Sequence, residues 1–437
     1  MRRRRGGIFY GWWIVAAAAI TTVFASMTYQ YGNSVFYKVL IDYFGWTRTQ
    51  LAAAVSLSRL ESGFLGGIEG FIVDKYGPRL MILVGTSIMS LGFIMLSRVN
   101  SLLEYYLIFI GLVVVGQSLS RGIPLDATVA TWFIRRRGTA FGLLRGATAV
   151  GAAGVVIVAW FIAQYGWRAA FVATGIGTFA LGIPTAFVMR RRPEHYGMLP
   201  DGDTVATKAS PGTATAEGPG GSSSPAAVAT GDEDIGMTIG QALRSWSFWA
   251  ISIAFAIRVG VSSAVTLHAI PLVEDMGYSS ATAAAVLGSI GVVSVVGRLG
   301  GGVLNDIIGT KRVAVGSVCT LAISLLILAQ AHTLWQVMLF VAIYAPSYGA
   351  SAATVPAMKG DYFGRMFFGT ILGLAGILQT GGSMFGPVFA AWVFDVTGSY
   401  RLALLIFAGV LMISVVLFLS LKTPRYSRAS VRASGHA

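Results

Sequence analysis

Five arginines, Arg59, Arg121, Arg145, Arg258 and Arg298, fall inside long apolar runs of this 437-residue chain. An arginine at membrane depth costs at least about 2.5–3.5 kcal/mol, so each must face a partner or a wet cavity. The acids in the same runs are fewer: Glu61, Glu69 and Asp126. The excess of positive charge suits a cavity for anions, because a guanidinium meets a carboxylate with two planar donors. Arg298, Arg145, Arg121 and Arg258 are therefore candidate substrate ligands. Glu61, Asp126 and His268 are the candidate proton carriers, and a lone histidine in such a run also suits a helix–helix hydrogen bond.

The elements that hold these groups are set by composition. Hydrophobic residues make up 55% of the chain and charged residues only 11%, which excludes a soluble protein. Apolar runs of about 20 residues or more recur along the chain, each long enough for a bilayer core of about 30 Å. Twelve spans are read: 11–36, 50–73, 79–98, 103–129, 138–163, 168–189, 247–272, 281–304, 312–331, 334–357, 367–391 and 400–421. They must be helices, since backbone in lipid has to satisfy its own hydrogen bonds and the runs exceed barrel strands. The fold class is an all-α membrane protein. From the rise of 1.5 Å per residue, Arg298 lies about 12 Å and Arg145 roughly 10 Å from the same end, with Arg121 and Arg258 deeper. Arg59 sits toward the opposite end of its span.

Of the 32 lysines and arginines, 22 fall in segments on one side and five in the loops opposite, leaving the five in the spans. Both termini are therefore expected in the cytoplasm, in an inner membrane. The net charge of +14 gathers on that side, which argues against a nucleic-acid partner. Arg2–Arg5 precede an apolar segment too long for a cleaved signal, so it reads as the first span. Residues 193–235 are rich in Gly, Ser, Thr, Ala and Pro and read as a disordered linker. Thr238–Trp246 then reads as a capped interfacial helix.

The chain repeats itself. Gly70, Asp74, Gly77 and Arg79 share their spacing with Gly302, Asp306, Gly309 and Lys311, 232 residues later. Gly138-Thr139 with Gly142 returns as Gly369-Thr370 with Gly373, 231 residues on, and Gly45-Trp46 and Arg168 return as Gly277-Tyr278 and Arg401. Near-constant offsets point to two pseudo-symmetric halves of six helices, with an axis along the membrane normal. The expected division is 1–192, a linker 193–245 and 246–437. Each repeated aspartate ends a helix where its charge opposes the dipole, so it needs a partner such as another helix's N-terminus.

The paired Gly-Asp-Gly-Arg/Lys loops resemble the signature of the major facilitator superfamily. Within it, Tyr10-Gly11-Trp12-Trp13, the stretch Phe133 to Gly142, Pro193-Glu194 with Gly197 and Pro200-Asp201-Gly202, and Gly386-Pro387 with Asp395 and Thr397 to Tyr400 resemble the monocarboxylate transporter and oxalate–formate antiporter group. The resemblance implies the major facilitator fold, and a gating role for Asp74, Arg79, Asp306 and Lys311 in locking the halves. It implies that Arg298, on span eight, binds the substrate carboxylate. It implies also that Tyr29 and Tyr31 on span one, and Tyr344 and Tyr348 on span ten, line the cavity. The chain departs from the group in four places, one of them Arg145, which stands at an apolar position of the group's span-five pattern. No lysine stands near Tyr31, span eleven has no basic residue, and Ser294 occupies the place of an acid one turn before Arg298.

The expected function is secondary transport of a small organic anion, a monocarboxylate or relative, by alternating access with proton symport or anion antiport. Export of amphipathic drug-like compounds and a non-transporting sensor are the alternatives. The single cysteine, Cys319, excludes a disulfide framework. No catalytic constellation, metal-site spacing or phosphate loop is evident, so no enzyme, metal or cofactor is expected. The partners are the anion, protons and the bilayer, and the expected state is a monomer.

Overall fold

The computed structural model describes residues 8–202 and 236–422, without the side chains of 48, 49, 52, 55, 56, 59–64, 280 and 284. Among the described residues all regular structure is helical apart from one isolated bridge, Gly236 to Gly364. Ten helical segments among the described residues are long and apolar enough to cross a membrane. One of these, Arg137–Val188, has 52 residues and breaks at Gly166 (φ 79°, ψ 163°), which divides it into spans five and six. Arg48–Tyr76, a 29-residue helix with more charge, supplies span two.

The remaining spans are Tyr10–Phe44, Pro78–Leu96, Leu102–Trp132, Trp246–Asp275, Ser280–Ile308, Thr310–Ala329, Leu334–Phe363, Phe368–Thr397 and Arg401–Leu419. Their limits follow from local chemistry. Span two starts on a capping box: Thr47 Oγ1 accepts from the Gln50 N–H at 3.2 Å, and Gln50 Oε1 accepts from the Thr47 N–H at 2.9 Å. Each repeated loop turns on a glycine at positive φ, Gly77 at 87° and Gly309 at 89°, and the next span begins one residue later. A side chain would strain that turn, so the second glycine of the repeat is a backbone requirement.

Two spans are not regular. Span one carries a π-helical stretch, Ser26–Gln30, and span four another, Phe109–Val114. Span four also breaks where Arg121 (φ −133°, ψ −140°) meets Gly122 (φ 36°). Such irregular backbone at membrane depth is tolerated where it is buried in protein or lines a cavity.

One buried core draws only on residues 242–421, with Phe255, Leu325, Phe340 and Phe418 at its centre. Two others fill the first half, one around Trp132, Phe133 and Phe141, the other around Phe36, Phe93, Phe109 and Phe171. Ala357 and Phe368 of the second half join the Trp132 core. That core lies at the end bearing the Asp74 and Asp306 loops and Arg135 to Arg137, which we call the basic face.

Close helix crossings depend on missing side chains. A Cβ at Gly373 would lie 1.9 Å from the Gly66 carbonyl oxygen, joining spans eleven and two, and one at Gly138 would lie 2.4 Å from that of Gly302. At Gly297 it would lie 1.8 Å from the Pro346 oxygen, where span eight meets span ten. Gly297→Ala is expected to cost about 3 kcal/mol through overpacking. Gly300→Ala, with nothing within 4 Å of its Cβ, should be close to neutral. Thermal unfolding in detergent checks the pair, and equal midpoints would contradict the crossing.

Two expectations are corrected. The segment 193–202, read as the start of a disordered linker, folds into turns at Glu194–Tyr196 and Pro200–Gly202. Asp201 (φ 61°) there accepts from the N–H groups of Ile134, Arg135 and Arg136 at 3.0, 2.7 and 3.1 Å. Residues 203–235 lie outside the described residues. The expected capped helix is Ile239–Arg244, with Thr238 and Gln241 forming the box. Span ten, read as ending at 357, runs to Phe363, so Lys359 and Asp361 belong to the helix rather than to a solvated loop.

Candidate anion site and its clamps

The repeated aspartates meet the partners their helix-end positions demand. Asp74 accepts from the N–H groups of Gly369 and Thr370 at 3.1 and 2.8 Å and from Thr370 Oγ1 at 2.7 Å. Asp306 accepts from the N–H groups of Gly138 and Thr139 at 2.7 and 2.8 Å and from Thr139 Oγ1 at 2.6 Å. Each carboxylate thus sits on the N-terminal turn of a span in the other half, where free N–H groups and the helix dipole favour negative charge. The two repeats noticed separately in the sequence, the aspartates and the Gly-Thr pairs, are bonded to each other crosswise.

The basic members of the repeated loops act elsewhere. Arg79 lies over the Phe187 ring, 4.6 Å from its centroid, and Lys311 Nζ donates to the carbonyls of Leu419 and Leu421 at 3.0 and 2.6 Å. Each stays within its own half. Further ties between the halves come from residues read as loop charges. Arg137, only 2% exposed, donates to Asp361 Oδ1 at 3.0 Å across the halves, and Thr310 Oγ1, from the same half as Asp361, donates to its Oδ2 at 2.8 Å. Arg365 donates to Glu194 Oε1 at 2.8 Å and to the Thr131 carbonyl at 3.1 Å. The sequence signal is an acid two residues from a base, 361 and 359, following a stretch from 313 to 358 that holds no Asp, Glu, Lys or Arg.

Deeper in, Arg298 and Arg258 converge from spans eight and seven. Arg298 Nη1 donates to the Arg145 carbonyl at 2.8 Å, and Tyr31 of span one lies beside the same guanidinium. Arg258 Nη2 donates to the Tyr348 carbonyl at 2.9 Å, its guanidinium 4.9 Å from the centroid of the Tyr348 ring. Both arginines are buried, and the Nε of each has no hydrogen-bond partner among the described residues. Tyr344, fully buried, stacks on Tyr348 with ring centroids 5.9 Å apart. The result is two cations held by carbonyls, with donors unspent and aromatic groups alongside.

The first half contributes differently. Arg145 forms an ion pair with Asp126, and Arg121 donates to the Thr21 carbonyl across spans four and one. With Gln30, Gln117 and Ser26 these three line a cavity of ≈ 180 Å³ beside the irregular stretches of both spans. Tyr29 stands apart, stacked on Phe109 at 6.1 Å. His268 uses both ring nitrogens at 3.1 Å, one with the Tyr400 hydroxyl and one with the Pro387 carbonyl, bridging spans seven, eleven and twelve. The side chains of Arg59 and Glu61 lie outside the described residues. No cluster of metal-ligating side chains occurs among the described residues.

The chain resembles known proteins over nearly its whole length. The family profile of the Major Facilitator Superfamily matches residues 18–306 and 270–436. Monocarboxylate transporter 12-B of Danio rerio is 24% identical over 83% of this chain and 76% of its own length. The oxalate:formate antiporter of Oxalobacter formigenes is 25% identical over 82% of this chain and 79% of its own. Among solved structures, the proton:xylose symporter XylE superposes with a TM-score of 0.73 at 14% identity, covering 95% of this chain and 96% of that one. The human organic anion transporter MFSD10 superposes at 0.61 and 12% identity, with 94% and 97% coverage. With its two clamped six-helix halves and its profile match, the chain belongs to the Major Facilitator Superfamily of transporters, and it is similar there to the monocarboxylate transporter and oxalate:formate antiporter group.

Proposed function

We propose that this protein carries a small organic anion, a monocarboxylate or related carboxylate, across an inner membrane by rocking one six-helix half against the other. The observation that carries the reading is the pair Arg298 and Arg258, buried cations bonded to carbonyls with Nε donors to spare. A carboxylate between them would supply the missing negative charge, and Tyr31, Tyr344 and Tyr348 would hold its carbon skeleton. Arg145, already paired with Asp126, and Arg121 would raise the potential of the cavity. The basic face is cytoplasmic in this reading, as are both termini.

The crossed Asp74 and Asp306 contacts are then the gate of that face, closed in the arrangement described. Opening it has to break six hydrogen bonds, three at each carboxylate. The test is reconstitution in liposomes with a panel of labelled mono- and dicarboxylates, with an inward proton gradient or a preloaded counter-anion. Uptake of at least one carboxylate well above protein-free vesicles is expected. If none moves under either condition, the reading fails.

A further inference from the structure

Lys359 lies four residues before the end of span ten. It is 1% exposed, and its Nζ has no hydrogen-bond partner among the described residues. The charged groups that face it come from the other half: Asp126 on span four and Arg145 on span five. Asp126 already binds Arg145 through Oδ2, while its Oδ1 is buried without a hydrogen-bond partner. The remaining charges near this end of span ten are engaged elsewhere. Arg137 holds Asp361, Arg365 holds Glu194, Asp306 holds Gly138 and Thr139, and Arg298 bonds the Arg145 carbonyl. One carboxylate therefore serves two cations, and Lys359 reaches it only across the surface along which the halves part.

Charge balance singles this lysine out. Apart from the Arg137–Asp361 pair, the cations buried or half-buried toward the centre among the described residues are Arg121, Arg145, Arg258, Arg298 and Lys359, against the carboxylates of Asp126 and Glu69. A guanidinium keeps its charge in a protein, whereas an ammonium out of water can release a proton and remain as the amine. Of the five, Lys359 alone can change charge with its load. Position 294, one turn before Arg298, is a serine and offers no carboxylate for that purpose.

Resting on the anion-transport reading, we propose that Lys359 carries the proton that travels with the anion. With the basic face closed, cavity water delivers one proton past Asp126 and Arg145 to Nζ as the carboxylate settles on the arginines. Only an N–H bond forms. When the basic face opens the anion leaves, and as that face closes again on the empty site Nζ is drawn out of water beside Arg145 and gives its proton to the departing water, an N–H bond breaking as an O–H bond of hydronium forms. The occluded protein has the same net charge with ammonium plus anion as with amine and no anion. A proton without the anion adds a fifth buried cation, which costs several kcal/mol. The anion draws the proton to Nζ, and a protonated carrier without its anion does not cross.

The experiment uses the full-length protein in liposomes and a carboxylate found in the panel above. The parent is expected to take it up faster as the outer pH falls, and to accumulate it about tenfold per pH unit of gradient. Lys359→Arg, whose charge is permanent, should still exchange labelled for unlabelled anion, while gradient-driven accumulation falls to the level without a gradient. Asp126→Asn strips the ammonium of its counter-charge, so its uptake profile should move to lower pH by about one unit. Accumulation by Lys359→Arg equal to the parent, or a parent indifferent to pH, would overturn the role of Lys359 and leave anion transport standing. A parent that moves no carboxylate overturns both.

Discussion

Arg298→Ala is expected to lower carboxylate uptake at least about thirtyfold, with Arg298→Lys recovering part of the loss. Removing one partner of a buried, hydrogen-bonded charge pair costs about 2–5 kcal/mol, and the lower end of that range corresponds to thirtyfold. Lysine restores the charge but not the forked donors, so an intermediate rate separates the electrostatic from the geometric share. The bond to the Arg145 carbonyl offers a competing account, in which Arg298 merely ties span eight to span five. That account predicts a lower unfolding temperature with the anion KM unchanged. A raised KM with preserved thermal stability supports the ligand role, and parent-like uptake by Arg298→Ala removes it.

The second large effect concerns the crossed carboxylates. Asp306→Ala leaves Gly138 N–H, Thr139 N–H and Thr139 Oγ1 without their acceptor at a helix N-terminus, and Asp74→Ala does the same at Gly369 and Thr370. Either is expected to weaken closure of the basic face by on the order of 3 kcal/mol, roughly a hundredfold in the closed-to-open ratio. Spin labels at positions 136 and 307, which flank one cavity from opposite halves, report it as a distance distribution. The parent should show one short distance. The variants should show a second, longer one, and Asp306→Asn, which keeps one acceptor, should fall between. An unchanged distribution in both alanine variants would show that the carboxylates are not the gate.

Much of this architecture was legible because the membrane imposes one rule on every span. Hydropathy alone located the runs, and the internal repeat divided them into halves. The helix-end aspartates were legible as well, since a carboxylate at the wrong end of a dipole demands a foreign N-terminus. Which N-terminus it finds was not legible. The Gly-Thr repeat is visible in the sequence, but nothing in a linear chain says that span eight crosses span five rather than span four.

Other residues were hidden by the length rule itself. A window sized to the bilayer ends span ten at 357, yet the helix continues to Phe363, where Asp361 and Arg137 of the first turn of span five bury one another. Lys359 and Arg137 looked like solvated loop charges for that reason. Irregular backbone was equally invisible. The break at Arg121 and Gly122 leaves no mark in hydropathy, although it sets the guanidinium against the Thr21 carbonyl. The opening of 193–202 misled by composition, since glycine and proline served tight turns there rather than disorder.

The crossed clamps carry a consequence for ancestry. Each half offers an acid and accepts one, so the contact is its own mirror under a two-fold rotation. That is the isologous geometry by which two identical subunits pair. A six-helix ancestor with one aspartate and one Gly-Thr turn would have closed such a dimer with no further invention. Joining the two copies in one polypeptide kept the closure and freed each from matching the other. Arg298 is an instance of that freedom, since the equivalent position of the first copy is Gly66, packed against span eleven.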